Sequence, residues 1–350
     1  MKTGKVFAMG IPLNNQGPQS GLFGGRWNPI HTMLATGTDS VAGRFDQGGQ
    51  TLRYADDALN MPVQAATHWD SLGHIFLDDK MYNGHDARRV DSGGVHVLGI
   101  EHARAKMVGR GVLLDVPRHK GVQWLPDGYG ISNAELDAVA AVQGVEIRRG
   151  DFVIVRTGQL ERCRAEGAWG GYAGGDAPGV RFENCYWCQE KQLAAICSDT
   201  WGVEVRPNET DQAKQPWHWV VIPAMGLTMG EMFDVSELAA DCAVDKVYEF
   251  LFSGPPLNLT GGTGSPLSSA VEVGHLHDDQ FSDGSREGAF MSDCSEVTQP
   301  SFGDWRTVQQ HGVEVKNAAA LPDDALREQL RFRRGRVGVW NSSHKCSLAV

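Results

Sequence analysis

The sequence predicts an α/β fold, and three stretches carry that expectation. GRGVLLDVPR and DFVIVRTG are short apolar runs bounded by turn residues, the pattern of strands buried on both faces. Between them lies NAELDAVAAVQ, whose apolar Leu136, Val139, Ala140 and Val142 follow helical spacing. A helix set between two apolar strands implies a sheet covered by a helical layer.

Taken in order, residues 1–60 hold Gly, Asn and Gln clusters such as NNQGPQSGLFGGRWNP and predict mostly loop with short strands. Phe23 and Trp27 stand beside that glycine run as packing anchors or as a lid. FLDDKMYNGH predicts further loop. The first buried strand is expected over Val112 to Val116, with Asp115 at its end bonding turn amides. Ser132 followed by Glu135 is a capping box that opens the helix, and Gly144 stops it. DFVIVRTG is the second strand. GAWGGYAGGDAPG is rich in glycine but lacks the Gly-x-Gly-x-x-Gly and Gly-Lys-Ser/Thr patterns, so no nucleotide site is assigned. PGVRFENCYWCQEKQLAAICSDT predicts a helix followed by a third buried strand over Leu193 to Cys197. Cys185 and Cys188 sit at i and i+3 in that helix with no further thiol or imidazole at zinc spacing, and are expected to pack.

Composition narrows the functional classes. A hydrophobic share of 41% and a charged share of 21% are those of a soluble globular chain. The net charge of −11 with no basic stripe argues against nucleic-acid and anionic-membrane partners. The amino terminus shows no signal-peptide pattern, and no apolar run approaches the roughly 20 residues of a membrane span. Seven cysteines at irregular spacing fit reduced thiols and a cytoplasmic location.

The densest chemistry lies in QAATHWDSLGH, residues 64–74. Gln64, His68, Asp70 and His74 all occupy even positions, so an extended strand would place them on one face. A helix would turn His68 and Asp70 about 200° apart. Ser71 and Gly73 suit a bend, which is required because four extended residues span roughly 13 Å. The expected arrangement is a strand edge with His68 and Asp70 side by side, then a turn folding His74 back over them. By spacing alone, a structural histidine bonded to a carboxylate is the more common origin of such a pair.

QAATHWDSLGH resembles the signature His-x-Gly-Thr-His-x-Asp-x-Pro-x-His of the cyclase family, which contains bacterial kynurenine formamidases and isatin hydrolases. Thr67, His68, Asp70 and His74 match in register, whereas Gln64 replaces the first His, Ala66 the Gly and Leu72 the Pro. The family places a further His and Glu on neighbouring elements. His218 and Glu231 fit that pattern with one extra residue between them. GRGVLLDV, RRGDFVIVRTG and SDTWGVE also resemble family blocks, so the likeness covers most of residues 20–265.

The resemblance implies one catalytic domain, residues 1–265, with the family's swivelling β/β/α fold. It implies a divalent metal, zinc or manganese, held by His68, Asp70, His218 and Glu231, with Gln64 as a weakened further ligand and His74 as the acid–base group. The implied activity is hydrolysis of a small amide, formamide or lactam-like substrate. Arylformamidase is the reference case, which hydrolyses N-formylkynurenine in tryptophan catabolism to kynurenine. Homo-oligomers are expected, with a small molecule as the substrate. Three alternatives remain: a cyclase or dehydratase acting on a larger carbonyl compound, a catalytically weakened metal- or ligand-binding member, and an α/β domain whose histidines are structural. Residues 266–350, polar and with apolar residues scattered singly, are expected to form a poorly ordered extension. It would carry at most one helix, near DDALREQLRFRR, and a solvated acidic loop at His275, His277, Asp278 and Asp279. A shifted reading frame would give a terminus of this kind.

Overall fold

Nine strands form one mixed sheet in the computed structural model, which describes residues 4–46, 48, 52–267 and 270–273. The centre is parallel: Val108–Asp115, Phe152–Arg156, Ala195–Ser198 and Thr228–Glu231 lie side by side in that order. Beyond Thr228–Glu231 the short strand His68–Asp70 pairs antiparallel, and Gly264–Pro266 closes that edge. Beyond Val108–Asp115 the antiparallel strands Glu249–Ser253, Ala270–Val273 and Lys5–Ala8 complete the other side.

Alternation along each strand divides the core. Val153 and Val155 join Val112, Leu114, Ile196 and Met229 on one face, against Leu136 and Val139 of helix Asn133–Gln143 and Trp217 and Val220 of helix Pro216–Val221. Phe152 and Ile154 join Leu113, Trp69, Phe250 and Phe252 on the other, against Leu238 and Cys242 of helix Ser236–Asp245. Helices therefore cover both faces of the parallel centre, the arrangement such strands need. Among the described residues no helix is long and apolar enough to cross a membrane.

Helix Asn133–Gln143 starts and stops where its sequence indicates. Ser132 accepts from the Glu135 amide, and Gly144 takes the left-handed conformation at φ 70°. Only half of the capping box forms, because the Glu135 carboxylate turns to Tyr129 and Lys120. Val142, counted with the apolar face, is 73% exposed. The first buried strand is longer than expected and ends at Asp115, which caps the short helix Val116–Lys120 and also accepts from Arg156. The third strand begins at Ala195 rather than Leu193, because Gln192 leaves its helix in the left-handed conformation and the Leu193 amide still bonds Cys188. Cys185 and Cys188 are buried in helix Asn184–Lys191, and burial pushes both thiols up. Phe23 packs on Trp201, while Trp27 is exposed. The amino-terminal segment adds an antiparallel pair, Ile30–Ala35 with Asp56–Asn60, and a short helix, Gly37–Val41.

The sheet does not stop at residue 265. Pro266 belongs to an edge strand and Ala270–Val273 pairs on both sides. The helix expected near 323–334 and the His275, His277, Asp278 and Asp279 loop lie outside the described residues.

Candidate metal centre

Strand register builds the site. Glu231 stands directly across from His68, and antiparallel partners project from the same face. Asp70, two residues on, shares that face. Trp69 projects the other way, packing edge-on against Phe152, Phe233 and Phe252 while its indole donates to the Gly254 carbonyl at 2.6 Å. Burying that indole fixes the rotation of the strand and so the direction of His68 and Asp70. Trp69 lies opposite Gly230, where a Cβ would come within 2.5 Å of Phe233 and 2.9 Å of both Cys197 and Trp69. Only glycine lets these strands pack as they do.

Thr67 ties the strand at its entry. Its hydroxyl donates to the Met232 carbonyl at 2.5 Å and accepts from the Ile11 amide at 2.9 Å. After Asp70 the chain turns as expected, with the His74 amide bonded to the Ser71 carbonyl at 3.1 Å. A Cβ at Gly73 would meet Val95 at 2.5 Å, so glycine is required in this bend. The turn leaves His74 Nε2 3.7 Å from Asp70 Oδ1, with 21% of its side chain exposed. The strand itself is interior, flanked on both sides.

One atom each from His68, Asp70 and Glu231 lie within 4.8 Å of one another, and all three residues are buried. His68 Nδ1 donates to the Ala66 carbonyl at 2.7 Å, which turns Nε2 inward. Nε2 stands 3.2 Å from Glu231 Oε2 and 3.5 Å from Asp70 Oδ1, yet neither it nor Asp70 Oδ1 has a hydrogen-bond partner among the described residues. Buried polar atoms are rarely left unpaired, and two buried carboxylates facing each other require a cation between them. A bare imidazole nitrogen and two carboxylate oxygens are donors suited to a divalent ion, so the residues fit a metal.

His218 enters from helix Pro216–Val221 and joins through the shared carboxylate, its Nε2 3.2 Å from Glu231 Oε1. It lies outside the close set of three. Gln64 is buried just before the strand, and its amide donates to Thr263 Oγ1 at 3.3 Å.

Glu204 is the residue that sequence reasoning passed over. Its Oε1 is 2.6 Å from His218 Nδ1, and the same carboxylate accepts from the His218 and Trp217 amides and from Asn208. A carboxylate on the far nitrogen of a histidine fixes its tautomer and orientation. Val203, just before it, holds a left-handed φ of 55°, a strained conformation for a β-branched residue. Glu204 sits 14 residues before His218 and ends the SDTWGVE block that resembles the family, the one sequence signal that could have pointed to it.

Charge dominates the titration of this cluster. Burial opposes an imidazolium at His68, but Asp70 and Glu231 outweigh it and raise its pKa to about 9. Burial likewise opposes charge on His218, and Glu204 and Glu231 raise it to about 10. Burial works against the Asp70 and Glu231 carboxylates, yet the histidines hold both below their ordinary values. His74 moves the other way: burial lowers its pKa, Asp70 opposes that, and Arg26 adds to it.

Comparison with known proteins follows the same lines. Residues 11–205 match the Cyclase family, described as "Putative cyclase". A crystal structure of a novel cyclase is similar at a TM-score of 0.69 and 34% identity, covering 77% of this chain and 89% of that one. Isatin hydrolase A from Ralstonia solanacearum has a TM-score of 0.56 at 16% identity, over 77% of this chain and 92% of its own. Isatin hydrolase A from Labrenzia aggregata, bound to benzyl benzoate, has a TM-score of 0.55 at 16% identity, over 77% and 93%. These two share the fold. No curated protein matches the chain in sequence.

Two outcomes follow from the charge balance. In metal-free protein the raised pKa values of His68 and His218 contribute stability that is full below pH 6.5 and lost as pH rises through about 9 and 10. A metal competes with those protons, so the thermal shift produced by excess zinc should grow from pH 6 to pH 9. An equal shift at both pH values contradicts the assignment. Glu204→Gln should lower metal affinity roughly 10- to 100-fold, the usual weight of such a carboxylate; unchanged affinity by calorimetry would reduce Glu204 to a cap for the Trp217 and His218 amides.

Proposed function

The chain belongs to the cyclase family, and on that premise we propose that it is a metal-dependent hydrolase of small amides, formamides or lactam-like compounds. The observation that carries this reading is the buried pair His68 Nε2 and Asp70 Oδ1, without a hydrogen-bond partner among the described residues and facing Glu231. His68, Asp70 and Glu231 would hold a zinc or manganese ion, with His218 completing the set through Glu231. When bound, such an ion polarises a carbonyl and lowers the pKa of water toward neutrality. Arylformamidase-like turnover of N-formylkynurenine is the finer proposal, and it rests on the resemblance of residues 64–74 to the family signature.

The chain's own residues supply the proton chemistry. His74 stands at the rim of the site, and its lowered pKa leaves its imidazole neutral at pH 7. It can therefore accept a proton from the water that adds to the carbonyl carbon. It then returns that proton to the amine nitrogen as the carbon–nitrogen bond breaks, giving a carboxylic acid and an amine. Asp70, 3.7 Å from His74 Nε2, favours the imidazolium that forms between the two transfers.

Gln64 stands where the signature has its first histidine, and this supports one metal per chain rather than two. A neutral amide oxygen is a harder donor than imidazole and favours manganese over zinc. The same substitution favours a second reading, a family member that binds metal and ligand without turnover. Turnover of N-formylkynurenine, isatin and aryl esters by metal-loaded protein separates the two.

His74→Ala should keep its metal and slow hydrolysis roughly 10² to 10⁴-fold. Because His74 titrates below the ordinary histidine value, kcat of the unmodified enzyme should fall only as pH drops below 6.5. Loss of metal from His74→Ala, measured by elemental analysis, would make it a ligand and remove the proton-transfer role.

A further inference from the structure

Two stacked aromatic rings, Trp201 and Phe23, carry a cation on their outer side. The Met232 amide, next to Glu231, bonds the Thr200 carbonyl at 2.9 Å, so the backbone leading into Trp201 passes beside the site. At the next residue, a Cβ on Gly202 would stand 4.0 Å from His218 Cε1. Trp201 is buried and donates to the Gly175 carbonyl at 3.0 Å, which fixes its ring. Phe23 packs on it with ring centres 5.7 Å apart, and the Arg26 guanidinium lies 4.3 Å above the Phe23 ring. Stacking of this kind holds an arginine in place without spending its hydrogen-bond donors.

Arg26 forms no ion pair among the described residues. The Arg206 guanidinium also lies over Trp201, at 5.3 Å, and its buried Nε has no hydrogen-bond partner among the described residues. A chain of net charge −11 repels anions as a whole, so an anionic substrate needs a local cation at the entrance.

We propose that Arg26, presented on the Phe23 and Trp201 wall, is a specificity-determining residue that binds the carboxylate of an aryl amide or formamide substrate. This rests on the hydrolase reading given above. The aryl ring lies along the two rings, the scissile carbonyl reaches the His68, Asp70 and Glu231 set, and the carboxylate meets the Arg26 guanidinium donors. A planar fork suits a carboxylate better than an ammonium does.

Calorimetric binding of 2-, 3- and 4-formamidobenzoate and of neutral formanilide to the full, zinc-loaded chain tests this, with turnover of the same four compounds measured alongside. At least one acid should bind more tightly than formanilide, and Arg26→Gln should weaken that acid roughly 10- to 100-fold, the weight of a charged hydrogen bond. Arg26→Lys should fall between the two, and the preference should shrink with added salt. If no acid binds better than formanilide, or if Arg26→Gln binds the acids as the unmodified chain does, the proposal is overturned. Binding with the expected Arg26 dependence but without hydrolysis of any compound would sink the hydrolase reading alone. Hydrolysis of formanilide without a preference for an acid would sink this proposal alone.

Discussion

Two buried carboxylates, Asp70 and Glu231, face one small space, and the local structure answers that constraint. Like charges removed from water repel strongly unless a cation lies between them. Protons on His68 and His218 can serve, and so can a divalent metal, which displaces those protons. The surroundings hold the donors in place for this role. Trp69 anchors the strand from the opposite face, Thr67 pins its entry, and the Ala66 carbonyl turns His68 inward. Glu204 holds His218 by its other nitrogen. Among the described residues, His68 Nε2 and Asp70 Oδ1 are left unpaired while Thr67, His218 and Glu204 around them are bonded, as expected of a site shaped for a guest.

Topology explains why the site lies where it does. Glu231 ends the last of four parallel strands, and open α/β sheets bind ligands beyond the carboxyl ends of such strands. The antiparallel neighbour His68–Asp70 then brings two more donors to that end at adjacent positions. A helix entering from the side contributes His218. Phe23, Trp201 and Arg26 extend the same end toward solvent and set what enters it.

Much of this was legible in the sequence, for identifiable reasons. The alternation of His68, Trp69 and Asp70 carries face information by itself, and the bend at Ser71 and Gly73 follows from residue type. Ser132 and Gly144 mark their helix because capping is local. The relation of His218 and Glu231 to the first cluster came only through family resemblance, since nothing local indicates that residues some 150 positions apart share a face. The role of Glu204 was not legible, because it depends on the fold bringing a loop beneath a distant helix. The third strand's start was misplaced at Leu193, where a helix cap decides it, and the domain's edge at residue 265, where a non-local pairing carries the sheet on to Val273. Arg26 looked like one more residue of a glycine-rich loop until Phe23 and Trp201 came together beneath it.

The most direct measurement is a calorimetric titration of the metal-stripped chain with zinc and manganese, run beside Asp70→Asn and Asp115→Asn. Asp115 is as buried as Asp70 but is occupied by Arg156 and a helix cap, so it controls for loss of a buried carboxylate. The account predicts one tight site per chain in the unmodified protein, retained in Asp115→Asn and lost in Asp70→Asn. Full stoichiometry and affinity in Asp70→Asn would contradict it.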